Sequence, residues 1–121
     1  MSRDILVIDD EKPIRDSFLL ALEESYQVET ASSGEEGLAR LKEKRYGLIF
    51  LDLKMPGMNG VETLKELRKL DADVPVYIVT AFHNEYLHQM QDLSNTGATF
   101  EILNKPVGLD QIAFVARENL P

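Results

Sequence analysis

The residues of this chain that are best placed to take part in chemistry are three aspartates that follow apolar segments. Asp52 ends the apolar run Leu48–Leu51 and leads into a turn rich in Pro and Gly, while Asp9 and Asp10 end an earlier apolar run. Carboxylates that gather in a partly desolvated pocket repel each other, and a divalent cation relieves this repulsion. Because oxygen ligands of this kind suit Mg²⁺, which binds through one or two carboxylates and keeps several waters, the aspartates predict a magnesium site.

Two further polar residues stand at corresponding places along the chain. Thr80 ends the apolar run that begins at Val76, and Lys105 closely follows the run that ends at Leu103. Open parallel sheets bind their ligands at the carboxyl ends of the strands, where all of these side chains are expected. A cation, an ammonium group and a hydroxyl can each neutralise one oxygen of a phosphoryl group that moves to a central carboxylate. The pattern therefore predicts a phosphoryl-transfer site centred on Asp52.

Short apolar segments alternate with helical patterns, which is typical of βα units. Strands are expected at Ile5–Ile8, Gln27–Ala31, Leu48–Asp52, Val76–Thr80 and Phe100–Leu103. Pro13 suits the first turn of the first helix, and Ser32 or Ser33 can cap the second. Five such units predict the α/β class, with a flavodoxin-like, doubly wound, five-stranded parallel sheet in the order 2-1-3-4-5 and five helices. In that order the first and third strands are neighbours, so the three aspartates meet.

The bulk composition limits the classes of function. With 121 residues the chain is predicted to form one domain, residues 1–121, large enough to bury a core. A net charge of −8 argues against nucleic acid as a direct partner, because phosphate backbones attract basic surfaces. No apolar segment approaches the ~20 residues that span a bilayer, and no secretory signal is recognisable. A cytoplasmic protein without a membrane partner is therefore expected, and the absence of cysteine is compatible with that location.

Together, these segments closely resemble the receiver domain of two-component response regulators. The segments that carry the resemblance are Ile5–Glu11, Leu51–Gly60, Val79–Ala81, Gly97–Ala98 and Lys105–Pro106. The match covers essentially the whole chain, and the segments occur in the order and at the spacing of that family. The resemblance implies a phosphoacceptor signalling domain that alters protein–protein interactions. Its implied partners are a sensor histidine kinase or a histidine phosphotransferase, and a downstream protein target.

The resemblance also implies roles for individual residues in phosphoryl transfer. Asp52 is the implied acceptor of a phosphoryl group from a partner phosphohistidine. Lys105 is expected to pair with the acidic site and the phosphate, and Thr80 to bond a phosphoryl oxygen. The Lys105–Pro106 peptide bond is expected to be cis. Such a domain is a phosphoacceptor and not an enzyme in the usual sense, although it assists its own phosphorylation and dephosphorylation.

The cofactor implied by the resemblance is Mg²⁺. Its implied ligands are Asp10, Asp52 and the main-chain carbonyl of Lys54, with Asp9 assisting through water. No organic cofactor is expected, because neither a GxGxxG nor a GxxxxGK[ST] motif follows the first strand.

Departures from the family pattern concern the output of the domain. Family members usually carry an aromatic residue three positions before the lysine, where this chain has Ile102; Phe100 lies on the same strand face and can partly substitute. Val107 replaces the aromatic that often follows the Lys-Pro pair, and Gly97–Ala98 lies one residue farther from the lysine than is common. The phosphorylation chemistry is untouched, but partners are expected to read mainly the loops around the acceptor and the first-helix face.

Three other functions are compatible with this topology. An enzyme with an aspartyl-phosphate intermediate, such as a haloacid-dehalogenase-like phosphatase, needs a second Asp two residues after the nucleophile, where this chain has Lys54. A nucleotide- or flavin-binding module would need the motifs that are missing after the first strand. The chain can also be the excised receiver of a DNA-binding regulator, although the helical pattern that ends at Leu120–Pro121 favours a free-standing domain.

Four residues around the site have less specific interpretations. Lys54 and Phe82 flank the predicted site, where they can tune phosphoryl lifetime or serve as surface residues. His83 and His88 are five positions apart and fall on different helix faces, so they are interpreted as exposed polar residues.

Overall fold

The computed structural model describes residues 2–81 and 83–121, with His83 described in its backbone only. Phe82 and the side chain of His83 therefore lie outside the described residues. In chain order the elements are β1 Ile5–Ile8, α1 Lys12–Leu22, β2 Val28–Ala31, α2 Gly34–Glu43, β3 Leu48–Asp52, α3 Gly60–Leu70, β4 Val76–Thr80, a 3₁₀ turn His83–Tyr86, α4 Leu87–Asn95, β5 Glu101–Asn104 and α5 Leu109–Asn119.

The five strands form one parallel sheet in the order β2-β1-β3-β4-β5, which confirms the predicted flavodoxin-like α/β class. The three inner strands, β1, β3 and β4, have the predicted bounds. Nearly all of their side chains are buried, because helices cover both faces of the sheet. Strands covered in this way have nearly continuous apolar sequences. None of the helices within the described ranges is long and apolar enough to cross a membrane.

Two groups of helices cover the two faces of the sheet. Helices α2, α3 and α4 pack against one face, on side chains that include Ile8 and Leu51. Helices α1 and α5 pack against the other face, on side chains that include Val7 and Phe50. Phe18 of α1 lies against Phe50, with 4.8 Å between the ring centroids. This packing holds the strands on both sides, so the residues at their carboxyl ends are presented on a rigid edge.

Local sequence determines where the helices begin. The hydroxyl of Ser33 accepts a hydrogen bond from the first turn of α2 at 3.1 Å, so Ser33 is the cap of the two predicted candidates. Helix α3 begins with a capping box between Asn59 and Glu62, whose two hydrogen bonds are 2.9 and 3.0 Å long. A Cβ atom on Gly60 would lie 2.4 Å from the carbonyl oxygen of Asp52, so glycine is required where α3 starts beside the end of β3.

The two edge strands differ from the sequence prediction by one residue. Strand β2 begins at Val28 rather than Gln27, and β5 spans Glu101–Asn104 rather than Phe100–Leu103. The register places the last residue of β5 opposite Thr80, so a polar residue remains in the ladder. An edge strand has one neighbour and one open side, so its sequence defines its ends less sharply than that of a buried strand.

Candidate functional site

The ends of four strands bring the predicted site residues to one edge of the sheet. Asp52 is the last residue of β3, and Thr80 is the last residue of β4. Asp9 directly follows β1, and Lys105 directly follows β5. Because β1 and β4 flank β3, and β5 lies next to β4, the carboxylate of Asp52 occupies the central position.

Four carboxylates surround this position. Carboxylate oxygens of Asp9, Asp10, Glu11 and Asp52 lie within 4.8 Å of one another. Asp9 and Asp52 are only 2% and 4% exposed, although their side chains are charged groups. The carboxylate of Asp9 also accepts a hydrogen bond of 2.9 Å from the backbone N–H of Glu11. This bond holds the β1–α1 loop in a conformation that keeps the acidic side chains together.

The ammonium group of Lys105 lies among these carboxylates. Its Nζ atom is 3.1 Å from an oxygen of Asp52, 3.3 Å from Asp9 and 3.7 Å from Glu11. The backbone N–H of Lys105 donates to the carbonyl of Thr80, and the Lys105–Pro106 peptide bond is cis, as predicted. Lys105 therefore reaches the centre of the acidic site from the end of β5.

Burial makes the ionised forms of the two central aspartates unfavourable. The pKa of Asp52 is raised to about 7, first because the carboxyl is buried and then because Asp9 is negatively charged; Lys105 opposes both effects. Burial also raises the pKa of Asp9, against the hydrogen bond from Glu11 and the charge of Lys105. Burial alone would lower the pKa of Lys105, but Asp52 and Asp9 outweigh it and the pKa is raised.

The donor set fits a hard divalent cation. All of the clustered side chains offer oxygen atoms, which are the preferred ligands of Mg²⁺. The pKa values of both buried aspartates are raised mainly by burial, and the ammonium of Lys105 offsets this rise only in part, so the ionised carboxylates remain incompletely compensated. A bound divalent cation would remove this imbalance.

Two predicted residues lie beside this cluster. Thr80 is completely buried at the end of β4. Lys54 lies in the loop after Asp52, and its ammonium group forms an ion pair of 3.5 Å with Glu85, across the gap between the β3–α3 loop and the 3₁₀ turn. The other residue predicted to flank the site, Phe82, lies outside the described residues. His88 is exposed, as interpreted from the sequence.

Sequence reasoning gave no role to two residues that the structure places at the site. Glu11 joins the carboxylate cluster and contacts Lys105, as described above. Arg15 of α1 donates a hydrogen bond of 2.8 Å to the carbonyl oxygen of Asp9 and so anchors the β1–α1 loop. The role of Arg15 could have been suggested by its spacing in the sequence, because Arg15 follows Glu11 by about one helical turn at the start of α1.

An apolar cavity of about 360 Å³ adjoins the site between α1 and the segment after β5. Ile14 and Phe18 of α1 line one wall, and Lys105, Pro106 and Val107 line another. The cavity lies where Val107 replaces the larger aromatic residue expected from the family pattern. The face of α1 beside the acceptor therefore combines an apolar recess with the edge of the acidic site.

Comparisons with known proteins give a consistent picture. A family model described as the response regulator receiver domain matches residues 5–117. Sporulation initiation phosphotransferase F of Bacillus subtilis (strain 168) is 34% identical over 125 aligned positions, which cover 100% of this chain and 96% of that protein. The transcriptional regulatory protein CpxR homolog of Haemophilus influenzae is 45% identical over 78 positions, covering 64% of this chain and 34% of that protein.

Solved structures agree with the fold. A response regulator receiver domain protein (CheY-like) from Methanospirillum hungatei JF-1 superimposes with a TM-score of 0.85 at 32% identity, covering 98% of this chain and 93% of that one. The chemotaxis protein CheY4 of Vibrio cholerae superimposes with a TM-score of 0.83 at 28% identity, covering 99% of this chain and 100% of the other.

Proposed function

The chain belongs to the response regulator receiver domain family, and we propose that Asp52 is the residue on which it carries the phosphoryl group. The observation that carries this proposal is the position of Asp52. Its carboxylate is buried at the centre of the site, between Asp9 on one neighbouring strand end and the ammonium of Lys105. On this proposal residues 1–121 act as one receiver domain in two-component signalling.

The transfer that we propose uses the groups around Asp52 to position and stabilise the phosphoryl group. As an oxygen of Asp52 forms the new P–O bond, the P–N bond of a donor phosphohistidine breaks and its electron pair returns to the imidazole. Lys105 can then donate to a phosphoryl oxygen while its contact with Asp9 holds it in place. The buried hydroxyl of Thr80 serves as a further donor. The protein acts as a phosphoacceptor that assists its own phosphorylation and dephosphorylation.

Mg²⁺ is the cofactor that we propose for this site. Asp10, Asp52 and the main-chain carbonyl of Lys54 would hold it, with Asp9 assisting through water. The oxygen-only donor set and the raised pKa values of the buried aspartates support this assignment. When bound, the cation would supply positive charge that offsets the charges of the carboxylates and the phosphoryl oxygens.

The proposed partners follow from the same chemistry. A sensor histidine kinase or a histidine phosphotransferase would donate the phosphoryl group, and a downstream protein target would read it. Direct binding to nucleic acid or to a membrane is not part of the proposal, because the net charge of −8 opposes anionic surfaces. We place these interactions in the cytoplasm.

Labelling with a small phosphodonor tests the proposal without the partner. Acetyl phosphate and Mg²⁺ should add one phosphate to the wild-type protein, as measured by intact mass, and a chelator should prevent it. Asp52→Asn should abolish the labelling, whereas the exposed Asp92→Asn on α4 should be labelled like wild type. Labelling of Asp52→Asn at the wild-type level would reject Asp52 as the acceptor.

A further inference from the structure

The charges of this chain are distributed unevenly along its sequence. Residues 34–71, which form α2, β3 and α3, contain eight Lys or Arg and seven Asp or Glu. The remaining residues contain five Lys or Arg and fourteen Asp or Glu. One part of the protein is therefore slightly basic, and the rest is strongly acidic. Arg40, Lys44 and Lys54 pair with carboxylates outside this segment. The charge available to an acidic surface, including that of another copy of the chain, is therefore that of Lys42 and Lys69.

A groove with an apolar floor lies on this basic part. It encloses about 230 Å³ between α2 and α3, and it is lined by Leu38, Lys42, Met58, Glu66, Lys69 and Leu70. Leu70 is 37% exposed, so the apolar floor is open to solvent. Lys42 and Lys69 bring positive charge to the groove, and Lys69 is paired with Glu66 at 2.7 Å. The groove suits an apolar side chain with acidic neighbours.

Helix α5 presents a side chain of this kind. Phe114 is 54% exposed, and it lies on the side of α5 opposite the buried residues Ile112, Val115 and Ala116. Asp110 and Glu118 lie four residues before and after Phe114, so each is about 6 Å away along the helix axis on the same face. Among residues 2–81 and 83–121, neither Asp110 nor Glu118 forms an ion pair.

From these two surfaces we infer that the protein associates with itself head to tail. Phe114 of one copy occupies the α2–α3 groove of the next, where its acidic neighbours approach Lys42 and Lys69. Arg117, one helical turn after Phe114, is placed to approach Glu66 of the same groove. The observation that selects a second copy as the occupant is the complementarity of these two surfaces in charge and in apolar character.

The fold determines how such an assembly grows. Helix α5 packs on one face of the sheet, and α2 and α3 pack on the other. A contact between unlike surfaces on opposite faces leaves a free groove at one end and a free Phe114 at the other. Such heterologous contacts extend into open chains unless the rotation closes a ring. The contact is small, so the association should be weak and dependent on protein concentration.

Sedimentation equilibrium tests this inference on the intact chain. Between about 10 µM and about 1 mM protein, in ~0.1 M salt to screen the net repulsion, the weight-average mass should rise beyond that of a dimer. Phe114→Ala and the double variant Lys42→Glu/Lys69→Glu should each remain monomeric. Leu20→Ala removes a side chain that is 67% exposed on α1 and belongs to neither the α2–α3 groove nor α5, so it should associate like wild type.

Mixing the two defective variants gives the most specific result. Phe114→Ala keeps an intact groove, and Lys42→Glu/Lys69→Glu keeps an intact Phe114, so an equal mixture should form a one-to-one dimer that grows no further. A wild-type protein that stays monomeric over the whole range would overturn the inference. Association that survives in either variant alone, or a mixture that stays monomeric while wild type associates, would also overturn it.

Discussion

Asp52→Asn should stabilise the metal-free protein, and the gain should grow with pH. Asparagine keeps the shape of the side chain and removes its charge, whereas the wild-type carboxyl must ionise in a buried, negatively charged site. The pKa of Asp52 in the folded protein is about 7, compared with an ordinary value of 3.8. Burial is the main cause and the charge of Asp9 is the second.

The direction of the effect follows from proton linkage. Between about pH 4 and pH 7 the folded state holds a proton on Asp52 that the unfolded state has lost, so the free energy of unfolding of wild type falls as pH rises. The loss in the free energy of unfolding of wild type is complete once the pH exceeds the pKa of Asp52 in the folded protein. At 1.36 kcal/mol per pKa unit, it reaches about 2 kcal/mol at pH 5 and about 4 kcal/mol at pH 8. The side chain is only 5% exposed, so solvent screens little of this energy.

Chemical denaturation in the presence of a chelator measures this difference. The free energy of unfolding of Asp52→Asn should exceed that of wild type by these amounts at pH 5 and pH 8. The matched control, Asp92→Asn, removes an exposed carboxylate on α4 and should change stability by less than about 0.5 kcal/mol at both pH values. A gain that is absent at pH 8, or equal at the two pH values, would refute the electrostatic reasoning.

Three further predictions concern the metal, the cavity and the switch. Millimolar Mg²⁺ should raise the melting temperature of wild type by mass action, whereas Asp10→Asn should melt higher in chelator and respond little to Mg²⁺; a wild-type melting curve insensitive to Mg²⁺ would contradict the proposed site. Val107→Phe should fill part of the 360 Å³ cavity and raise stability by about 1 kcal/mol without loss of acetyl phosphate labelling, so a lower melting temperature would show that the cavity cannot accept an aromatic ring. Beryllofluoride with Mg²⁺ should shift amide resonances outside the pocket mainly in α1 and the loops around Asp52, and the largest shifts should not fall on Glu85–Ser94 and Phe100–Leu103.

The inner part of the fold could be predicted from the sequence because burial on both faces leaves a simple pattern. Strands β1, β3 and β4 are nearly continuous apolar runs, and their predicted bounds match the structure. Each run stops at a polar residue, and the topology places the ends of β1 and β3 side by side, where Asp9 and Asp52 both come within hydrogen-bonding reach of Lys105 after β5. The positions of these side chains depend on strand order and register, which apolar patterning determines strongly.

The features that the sequence analysis missed depend on local side-chain paths. The start of β2 and both ends of β5 differ from the prediction by one residue, because edge strands lack the second neighbour that sharpens the pattern. The contact of Glu11 with Lys105 depends on how the β1–α1 loop turns, and Arg15 determines that turn through the carbonyl of Asp9. The capping box of α3 has a sequence pattern of its own, since Asn59 is followed three residues later by Glu62.

Two of the three departures from the family pattern leave apolar space at the protein surface. Ile102 is 43% exposed and, with Phe100, lines a surface cavity of about 250 Å³ against α4. Val107 lines the larger cavity beside α1. Both side chains are β-branched and have little rotamer freedom with which to open or close these cavities, but only the cavity at Val107 adjoins Lys105. A partner can therefore gain apolar contact by inserting its own side chain next to Lys105, where it also senses the charge on Asp52. This favours readout across α1 and the loops at the acceptor over a rotation within β5.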